Sequence, residues 1–156
     1  LKPEILNIKF LLEKHLQTQA FQLLSKNKEV IAMSQKIHTD KAPEAIGPYS
    51  QAVVSGNMLY TSGQIAINPA SGEVEASDVE GQTLQVMKNL GAVLEAAGSS
   101  FDKAVKTTCF LADIADFAAF NKIYGEYFTS NPARSCVAVR DLPKGVLVEV
   151  EVIAEV

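Results

Sequence analysis

Histidine and cysteine are scarce in this chain, and neither residue type forms a recognisable catalytic or metal-binding pattern. The two histidines, His15 and His38, lie outside the strongly patterned part of the sequence, which leaves little support for a histidine-rich metal site or a local Ser/His arrangement. Cys109 and Cys136 are too far apart for a redox Cys-x-x-Cys motif, and two cysteines are too few to cross-link a small secreted protein. The cysteine usage therefore predicts a reducing, cytoplasmic setting.

Positive charge of the kind that nucleic-acid binding requires is also lacking. Residues 1–32 carry five Lys against three Glu, whereas residues 33–156 carry nine Lys and Arg against fifteen acids. An acidic body without a basic stripe is a poor electrostatic match for a phosphate backbone, so no nucleic-acid partner is expected. The P-loop and the motifs GxGxxG, GxSxG and HExxH are absent as well, which removes the commonest short signatures of nucleotide, hydrolase and metalloprotease sites.

The first 32 residues differ in pattern from the rest of the chain. Residues 4–25 place aliphatic side chains three or four positions apart, which predicts an amphipathic helix. Polar residues between them exclude a transmembrane span, and the lack of arginine together with Glu4 and Glu13 disfavours a transit peptide. Two interpretations stay open: either Met33 is the natural start and residues 1–32 are an added extension, or the segment is a docking helix.

At 156 residues the chain has the length and composition of one globular domain, and its strongly patterned part is residues 33–156. Their hydrophobic periodicity predicts the order ββαβαββ, an α+β arrangement with two helices on one side of a mixed sheet. The predicted strands are 49–55, 58–65, 104–112, 133–140 and 146–156, and the predicted helices are 79–97 and 117–128.

Both predicted helices carry end signals. Ser77 is expected to open the first helix in a capping box with Glu80, and Gly98 to end it. Asp113 or Asp116 is expected to cap the second helix. These signals bound the helices independently of the apolar stripes that they bury.

The last predicted strand alternates valine with acid. In an extended strand Val148 and Val150 share one face, whereas Glu149 and Glu151 share the other. A carboxylate among aliphatic neighbours lies at a wet edge or is paired, because burying an unpaired charge costs several kcal/mol. The pattern alone favours a structural ion pair of Arg134 with Glu149 or Glu151; a guanidinium that binds the carboxylate of a ligand is the alternative.

Four further residues interrupt their local patterns, and each has a functional and a structural interpretation. Asn121 lies beside the aromatic stripe of its helix, where its amide either orients a ligand or faces solvent. Tyr49 follows a rigid Gly-Pro pair and is either a fixed phenol in a site or a strand-edge residue. Gly63 interrupts a strand, which indicates a bulge or a close approach to a ligand. Cys136 is either a nucleophile activated by Arg134 or a small packing residue.

Five segments of residues 33–156 resemble the RidA (YjgF) family. They are Ala45–Ala52 (AIGPYSQA), Thr61–Ile65 (TSGQI), Val105–Thr108 (VKTT), Pro132–Val137 (PARSCV) and Glu149–Ala154 (EVEVIA). The resemblance covers nearly all of these residues in order, and the Pro-Ala-Arg-Ser-Cys signature is specific. It implies a chorismate-mutase-like α+β fold and a homotrimer whose sheets form a central barrel with three clefts between subunits. It also implies a deaminase that removes reactive 2-imino and enamine acids, such as 2-iminobutanoate and 2-iminopropanoate, by hydrolysis to 2-keto acids and ammonia.

The same resemblance implies roles by position. Arg134 would clamp the carboxylate of the imino acid, Glu149 would hold and polarise the attacking water, and Tyr49 would line the cleft. Five further residues are implied to shape or support the pocket: Phe117, Asn121, Gly63, Cys136 and Glu151. An imine already hydrolyses in water, so orientation and one positioned acid or base suffice, without metal or cofactor.

Two other functions stay open. A non-catalytic module would bind small carboxylates such as keto acids in the same cleft without turnover. An endoribonuclease or translation inhibitor, as attributed to some relatives, is disfavoured by the acidic body. The expected partners are accordingly a small 2-imino acid and further copies of the chain, and neither a nucleic acid nor a membrane.

Overall fold

The structure is a computed structural model that describes residues 14–19 and 34–156. The chain divides into two compact units, Leu1–Met33 and Ser34–Val156. Residues 14–19 are helical, and the other parts of the predicted N-terminal helix, 4–13 and 20–25, lie outside the described residues. Within the described residues, no helix is long and apolar enough to span a membrane.

Seven strands form one mixed sheet in the unit Ser34–Val156. They are β1 (Gln35–Ile37), β2 (Ala52–Ser55), β3 (Met58–Thr61), β4 (Gln64–Ile65), β5 (Ala104–Leu111), β6 (Ala133–Ala138) and β7 (Val148–Glu155). Their order is β1-β2-β3-β7-β5-β6, and β4 also pairs with β7. β5 and β6 are parallel, whereas the other pairs are antiparallel. The last strand of the chain is therefore central in the sheet; the short β1 was not predicted from the sequence pattern.

The core lies between one face of the sheet and two helices, α1 (Val79–Ala96) and α2 (Phe117–Tyr127). The alternating valines of β7 point to this face and are at most 1% exposed. α1 packs against β7 and α2, and α2 reaches the sheet through a hydrogen bond between the hydroxyl groups of Tyr124 and Thr107 (2.8 Å). The predicted α+β class, with two helices on one side of a mixed sheet, is confirmed.

The ends of α1 follow the predicted chemistry with a shift of one residue. The helix begins after Asp78, whose carboxylate accepts a hydrogen bond from the Gly81 amide at 2.9 Å, so the predicted Ser77 cap is wrong. An ionised aspartate caps the helix and also interacts favourably with the helix dipole, which a serine hydroxyl does not. Gly98 ends the helix as predicted, in the left-handed conformation (φ +74°) that other residues rarely adopt.

The two aspartates predicted as alternative caps of α2, Asp113 and Asp116, have different roles in the structure. Asp113 accepts a hydrogen bond from the Ala115 amide at 2.9 Å and caps a 3-10 turn, Ile114–Asp116. Asp116 precedes the helix directly but forms no side-chain capping hydrogen bond. The capping aspartate therefore starts the turn, and the helix continues from it.

Buried amide side chains hold strand ends beside the sheet. Asn89 of α1 is fully buried, and its Nδ2 donates to the carbonyl oxygens of Ile65 (3.0 Å) and Ile67 (2.9 Å). Gln82 of the same helix accepts a hydrogen bond from the Leu147 amide at 2.7 Å. Sequence periodicity marks apolar residues only, so it did not predict these polar contacts.

Replacing Asn89 by alanine is expected to lower the free energy of unfolding by about 1–3 kcal/mol, because buried carbonyl oxygens lose their donor. Urea denaturation followed by circular dichroism measures the change. Lys88→Ala, at the neighbouring exposed position, is the control and should alter stability by less than about 0.5 kcal/mol. An Asn89→Ala variant as stable as the wild type would contradict the role given to this amide.

Candidate active site

An interruption of the sheet forms the first part of the candidate site. Ser62 and Gly63 separate β3 from β4. Thr61 Oγ1 accepts a hydrogen bond from the Val152 amide at 2.9 Å, and Ser62 Oγ donates to the Ser50 carbonyl oxygen at 2.7 Å. Hydroxyl groups thus satisfy backbone groups where the regular ladder stops. The structure has the interruption that Gly63 predicts.

Gly63 lies directly against the side chain of Glu149. A Cβ atom at residue 63 would overlap a carboxylate oxygen of Glu149 and would lie 2.9 Å from its Cγ. No larger residue fits there unless the carboxylate moves, so the glycine leaves the room that Glu149 occupies. The close approach that was expected at Gly63 is therefore made to a protein side chain.

The carboxyl group of Glu149 has altered acidity. Burial raises the pKa of Glu149 above its ordinary value, and the charge of Glu151, on the same sheet face, adds to the effect. In the part of the chain that the structure describes, Glu149 has no ion-pair partner. A half-buried carboxyl group of this kind is suited to take up and return a proton.

Glu149 lines a pocket of about 310 Å³ together with Tyr49 and Gly63. Tyr49 is 49% exposed, and its phenol oxygen accepts a hydrogen bond from the Ile46 amide at 3.3 Å. The interpretation of Tyr49 as a fixed phenol beside a cleft is thus the one that the geometry favours over a strand-edge residue.

The loop before Tyr49 is held by the side chain of Gln51, which is 2% exposed. Its Nε2 donates to the carbonyl oxygens of Thr39 (3.0 Å) and Pro43 (2.8 Å), and its Oε1 accepts from the Thr39 amide (2.7 Å). One buried amide therefore sets the conformation of residues 39–43, although nothing in its sequence pattern distinguished it from other glutamines.

Arg134 of β6 is exposed and is held by neutral partners. Its Nη1 donates to Oδ1 of Asn121 at 2.8 Å, and its guanidinium carbon lies 4.6 Å from the ring centroid of Tyr124 and 5.5 Å from that of Phe117. Contacts with an amide and with aromatic rings orient a guanidinium without neutralising its charge. Because no carboxylate of the described residues pairs with Arg134, its remaining donors can bind an anion.

Arg134 and Glu149 lie on opposite faces of the sheet. Arg134 is paired with Thr107, and Thr107 with Val152 of β7, so the Arg134 side chain is on the face that the helices cover. Glu149 alternates with the buried valines and points to the other face. Arg134 forms no ion pair with any residue that the structure describes, so the predicted structural pair with Glu149 or Glu151 is wrong.

Six of the predicted site residues therefore fall into two groups within one chain. The acid half-site comprises Tyr49, Gly63 and Glu149 around the pocket of about 310 Å³. The arginine half-site comprises Phe117, Asn121 and Arg134, and a larger pocket of about 700 Å³ opens beside the last two. Sequence spacing does not predict this division, because it depends on the strand order of the sheet.

Cys136 lies beside a second cysteine rather than beside a base. Cys136 and Cys109 are neighbours on the paired strands β6 and β5, and both are free thiols. Burial raises the pKa of Cys109 to about 12 and also raises the pKa of Cys136, although the charge of Arg134 opposes this. Both thiols are protonated at neutral pH, so the structure favours the packing interpretation of Cys136 over the nucleophile.

The fold and the half-sites define a single-sheet α+β protein with a candidate half-site on each face of its sheet. The family described as Endoribonuclease L-PSP matches residues 39–156. A human protein named 2-iminobutanoate/2-iminopropanoate deaminase is 50% identical over 119 residues, which cover 76% of this chain and 87% of the human protein.

Comparison with solved structures also finds relatives of the Rid family. The crystal structure of the Rid family protein YyfA from Yersinia pestis matches with a TM-score of 0.77 and 52% identity, covering 80% of this chain and 100% of that one. The structure of TdcF from E. coli with bound serine matches with a TM-score of 0.75 and 44% identity, covering 78% and 98%. The chain belongs to the Endoribonuclease L-PSP family, which is the RidA (YjgF) family that its sequence resembles, and the chorismate-mutase-like fold class is confirmed.

Proposed function

We propose that the protein hydrolyses 2-imino and enamine acids, such as 2-iminobutanoate and 2-iminopropanoate, to 2-keto acids and ammonia. The observation that carries the proposal is Arg134, an exposed guanidinium that Asn121 and two aromatic rings orient without a protein carboxylate against it in the described residues. Such a group binds the carboxylate of a small organic acid through charge-assisted hydrogen bonds. The name of the human relative supports the reaction, and the serine bound to TdcF supports a ligand of amino-acid size.

We infer that the complete site forms between copies of the chain in a homotrimer. Arg134 and Glu149 point away from each other across one sheet, so a single chain does not apply both to one substrate. The sheet face without helices exposes Tyr60 (47%) and Val137 (46%), apolar surface that a neighbouring copy would cover. Three sheets packed as a central barrel would set the arginine half-site of one copy against the acid half-site of the next.

The residues would divide the reaction between them. Arg134 binds the substrate carboxylate and so places the imine carbon. Glu149 takes a proton from the attacking water and returns it to the nitrogen, which gives an aminoalcohol. The same transfer from the new hydroxyl group to the nitrogen releases ammonia and forms the keto acid. Tyr49 lines the cleft, and the charge of Glu151 helps to raise the pKa of Glu149, which favours return of the proton.

The activity is tested by following keto-acid release from imines that a serine or threonine dehydratase generates in the assay. An acceleration proportional to the concentration of the protein supports the proposal, and an unchanged rate contradicts it. Calorimetric titration with a 2-keto acid distinguishes the deaminase from the competing, non-catalytic binding module. Binding that depends on Arg134 without any turnover would favour that module over the deaminase.

Co-expression of Arg134→Ala and Glu149→Gln chains is expected to restore activity that neither variant has alone. In a mixed ring of three chains, about one interface in three would pair an intact Arg134 with an intact Glu149. Mixed trimers, isolated through a tag on one variant, are assayed for imine hydrolysis beside the two parents. Activity no higher than that of the parents would contradict a site shared between subunits.

A further inference from the structure

Three neighbouring cavities lie in series behind the loop that joins β1 to β2. The first is the pocket of about 310 Å³ beside Glu149. The second is a narrow cavity of about 30 Å³, which shares three lining residues with the first, namely Tyr49, Gly63 and Ile65. The third is an outer cavity of about 210 Å³ beside the exposed Gly72. It shares four lining residues with the narrow cavity: Pro43, Glu44, Ile46 and Ile67.

Buried amide side chains hold both walls of the narrow cavity. Its inner wall includes Ile65 and Ile67, whose carbonyl oxygens accept hydrogen bonds from Asn89 at 3.0 and 2.9 Å. Its outer wall includes Pro43, whose carbonyl oxygen accepts a hydrogen bond from Gln51 Nε2 at 2.8 Å. Hydrogen bonds to buried amides thus set the position of each wall, so the space between the walls is a fixed feature of the fold.

The narrow cavity has room for very small molecules only. One water molecule needs roughly 10–15 Å³ of such space, so a cavity of about 30 Å³ holds about two molecules of the size of water or ammonia. The lining also includes Glu44, Tyr49 and Gln51, which can supply the polar partners that an enclosed water requires. Imine hydrolysis consumes one water and releases one ammonia, and these are the two reactants of this size.

Carboxylates surround the outer end of the series. Glu44 lines both the narrow and the outer cavity. Its carboxylate lies within 4.8 Å of that of Asp40, and His38 contacts both groups. Lys144 also lines the outer cavity, so two carboxylates face one ammonium group at this end. Such a charge balance disfavours an organic anion and favours water, ammonia or ammonium.

We propose that the narrow cavity binds water and ammonia and is the route by which water reaches Glu149 and ammonia leaves it. The proposal rests on the proposed deaminase function and deepens it. A neighbouring copy that brings its Arg134 to the open side of the first pocket would hold the substrate carboxylate there. The organic acid would then enter and leave on the open side, while one water and one ammonia pass behind the loop in each turnover.

The test fills the narrow cavity and measures turnover and acid binding separately. Ile67→Phe, on the inner wall, is expected to lower kcat for 2-iminopropanoate at least about fivefold, because release of ammonia then limits turnover. The Kd of pyruvate, measured by calorimetry, should change less than about twofold, since the acid binds on the open side. Ile46→Trp enters the cavity from its exposed side and is expected to give the same pattern without disturbing the buried wall.

Ile114→Trp, at an exposed position of the 3-10 turn before α2, is the matched control and should change neither quantity. High-resolution crystal structures of the wild type and of Ile67→Phe should show ordered water in the narrow cavity of the first and none in that of the second. A dry cavity in the wild type, an unchanged kcat in both filled variants, or equal losses of kcat and of pyruvate affinity would overturn the proposal.

The crystal structures also separate this proposal from the proposed function. Should the wild type hydrolyse no imine, the deaminase function fails and the route to Glu149 fails with it, whereas the binding site for water is decided by the crystals alone. Ordered water that Ile67→Phe displaces would support that site, and a dry cavity would refute it.

Discussion

Replacing Glu149 by glutamine is expected to lower kcat/KM for 2-iminopropanoate by about 10²–10⁴-fold, the usual contribution of a positioned general acid or base. The amide keeps the shape of the side chain and its place against Gly63 but neither accepts nor returns a proton. Glu155→Gln, at the exposed end of the same strand, is the control and should retain full activity. A Glu149→Gln variant as active as the wild type would contradict the proton-transfer role given to Glu149.

The pH dependence of the wild type provides a second measurement of the same group. Because the pKa of Glu149 is raised, its carboxylate form is lost at a higher pH than for an ordinary glutamate, and kcat/KM should fall there as the pH decreases. This acid limb should be missing from the residual activity of Glu149→Gln. An identical acid limb in both proteins would assign the titration to another group.

The same carboxyl group links stability to pH with a definite sign. Since its pKa is higher in the folded state than in the unfolded state, the folded protein binds more protons between the two values, and stability falls as the pH rises through this window. Glu149→Gln removes that penalty, so the variant should melt above the wild type at pH 8 and close to it below pH 4. Thermal unfolding at both pH values measures the difference. A variant that melts lower at pH 8 would contradict the desolvation of Glu149.

Replacing Arg134 by alanine is expected to have the next largest effect, a loss of about 2–4 kcal/mol of transition-state binding, or roughly 30- to 1,000-fold in kcat/KM. The loss has two sources, because the substrate carboxylate loses its cation and Asn121 loses the donor that holds it at 2.8 Å. Steady-state kinetics with 2-iminobutanoate measure the change. Full activity in Arg134→Ala would contradict the role of Arg134 in binding the substrate, on which the proposed function depends.

Two further variants separate the charge of Arg134 from its geometry. Arg134→Lys keeps the charge but loses the planar fork and its stacking on Tyr124, so it should recover only part of the activity. Arg140→Ala is the matched control, because Arg140 is fully exposed and pairs only with its neighbour Asp141 among the described residues. Equal losses at both arginines would point to a general effect of surface charge rather than to a substrate clamp.

The elements that sequence predicted well are those with strong local signals. Gly56 and Asn57 form the turn between β2 and β3, in the gap between the predicted strands 49–55 and 58–65, and Gly56 has a φ of +63°. The valines of β7 are buried because strict alternation allows only one face to enter a core. Gly63 was recognised as irregular because glycine has no packing value inside a strand.

The elements that sequence missed depend on contacts between distant residues. Asn89 and Gln51 form hydrogen bonds with backbone groups of other segments, and hydrophobic periodicity does not identify either residue. The stacking of Arg134 on Tyr124, and the bond of Tyr124 to Thr107, join three elements that local pattern treats separately. The Asp78 cap was missed by one residue because two capping side chains stand side by side before α1.

Apart from the short β1 and the division of the predicted strand 58–65 into β3 and β4, the sequence alone determined the secondary-structure order. It also determined the buried face of β7 and the candidates for site residues, because these follow from side-chain period and from rare residue types. Only the tertiary structure decided how that chemistry is arranged. Insertion of β7 between β3 and β5 puts Glu149 on the uncovered face, whereas the pairing of β6 with β5 puts Arg134 under α2. Local sequence does not predict which strands are neighbours in a sheet, since this depends on the packing of surfaces that are distant in sequence.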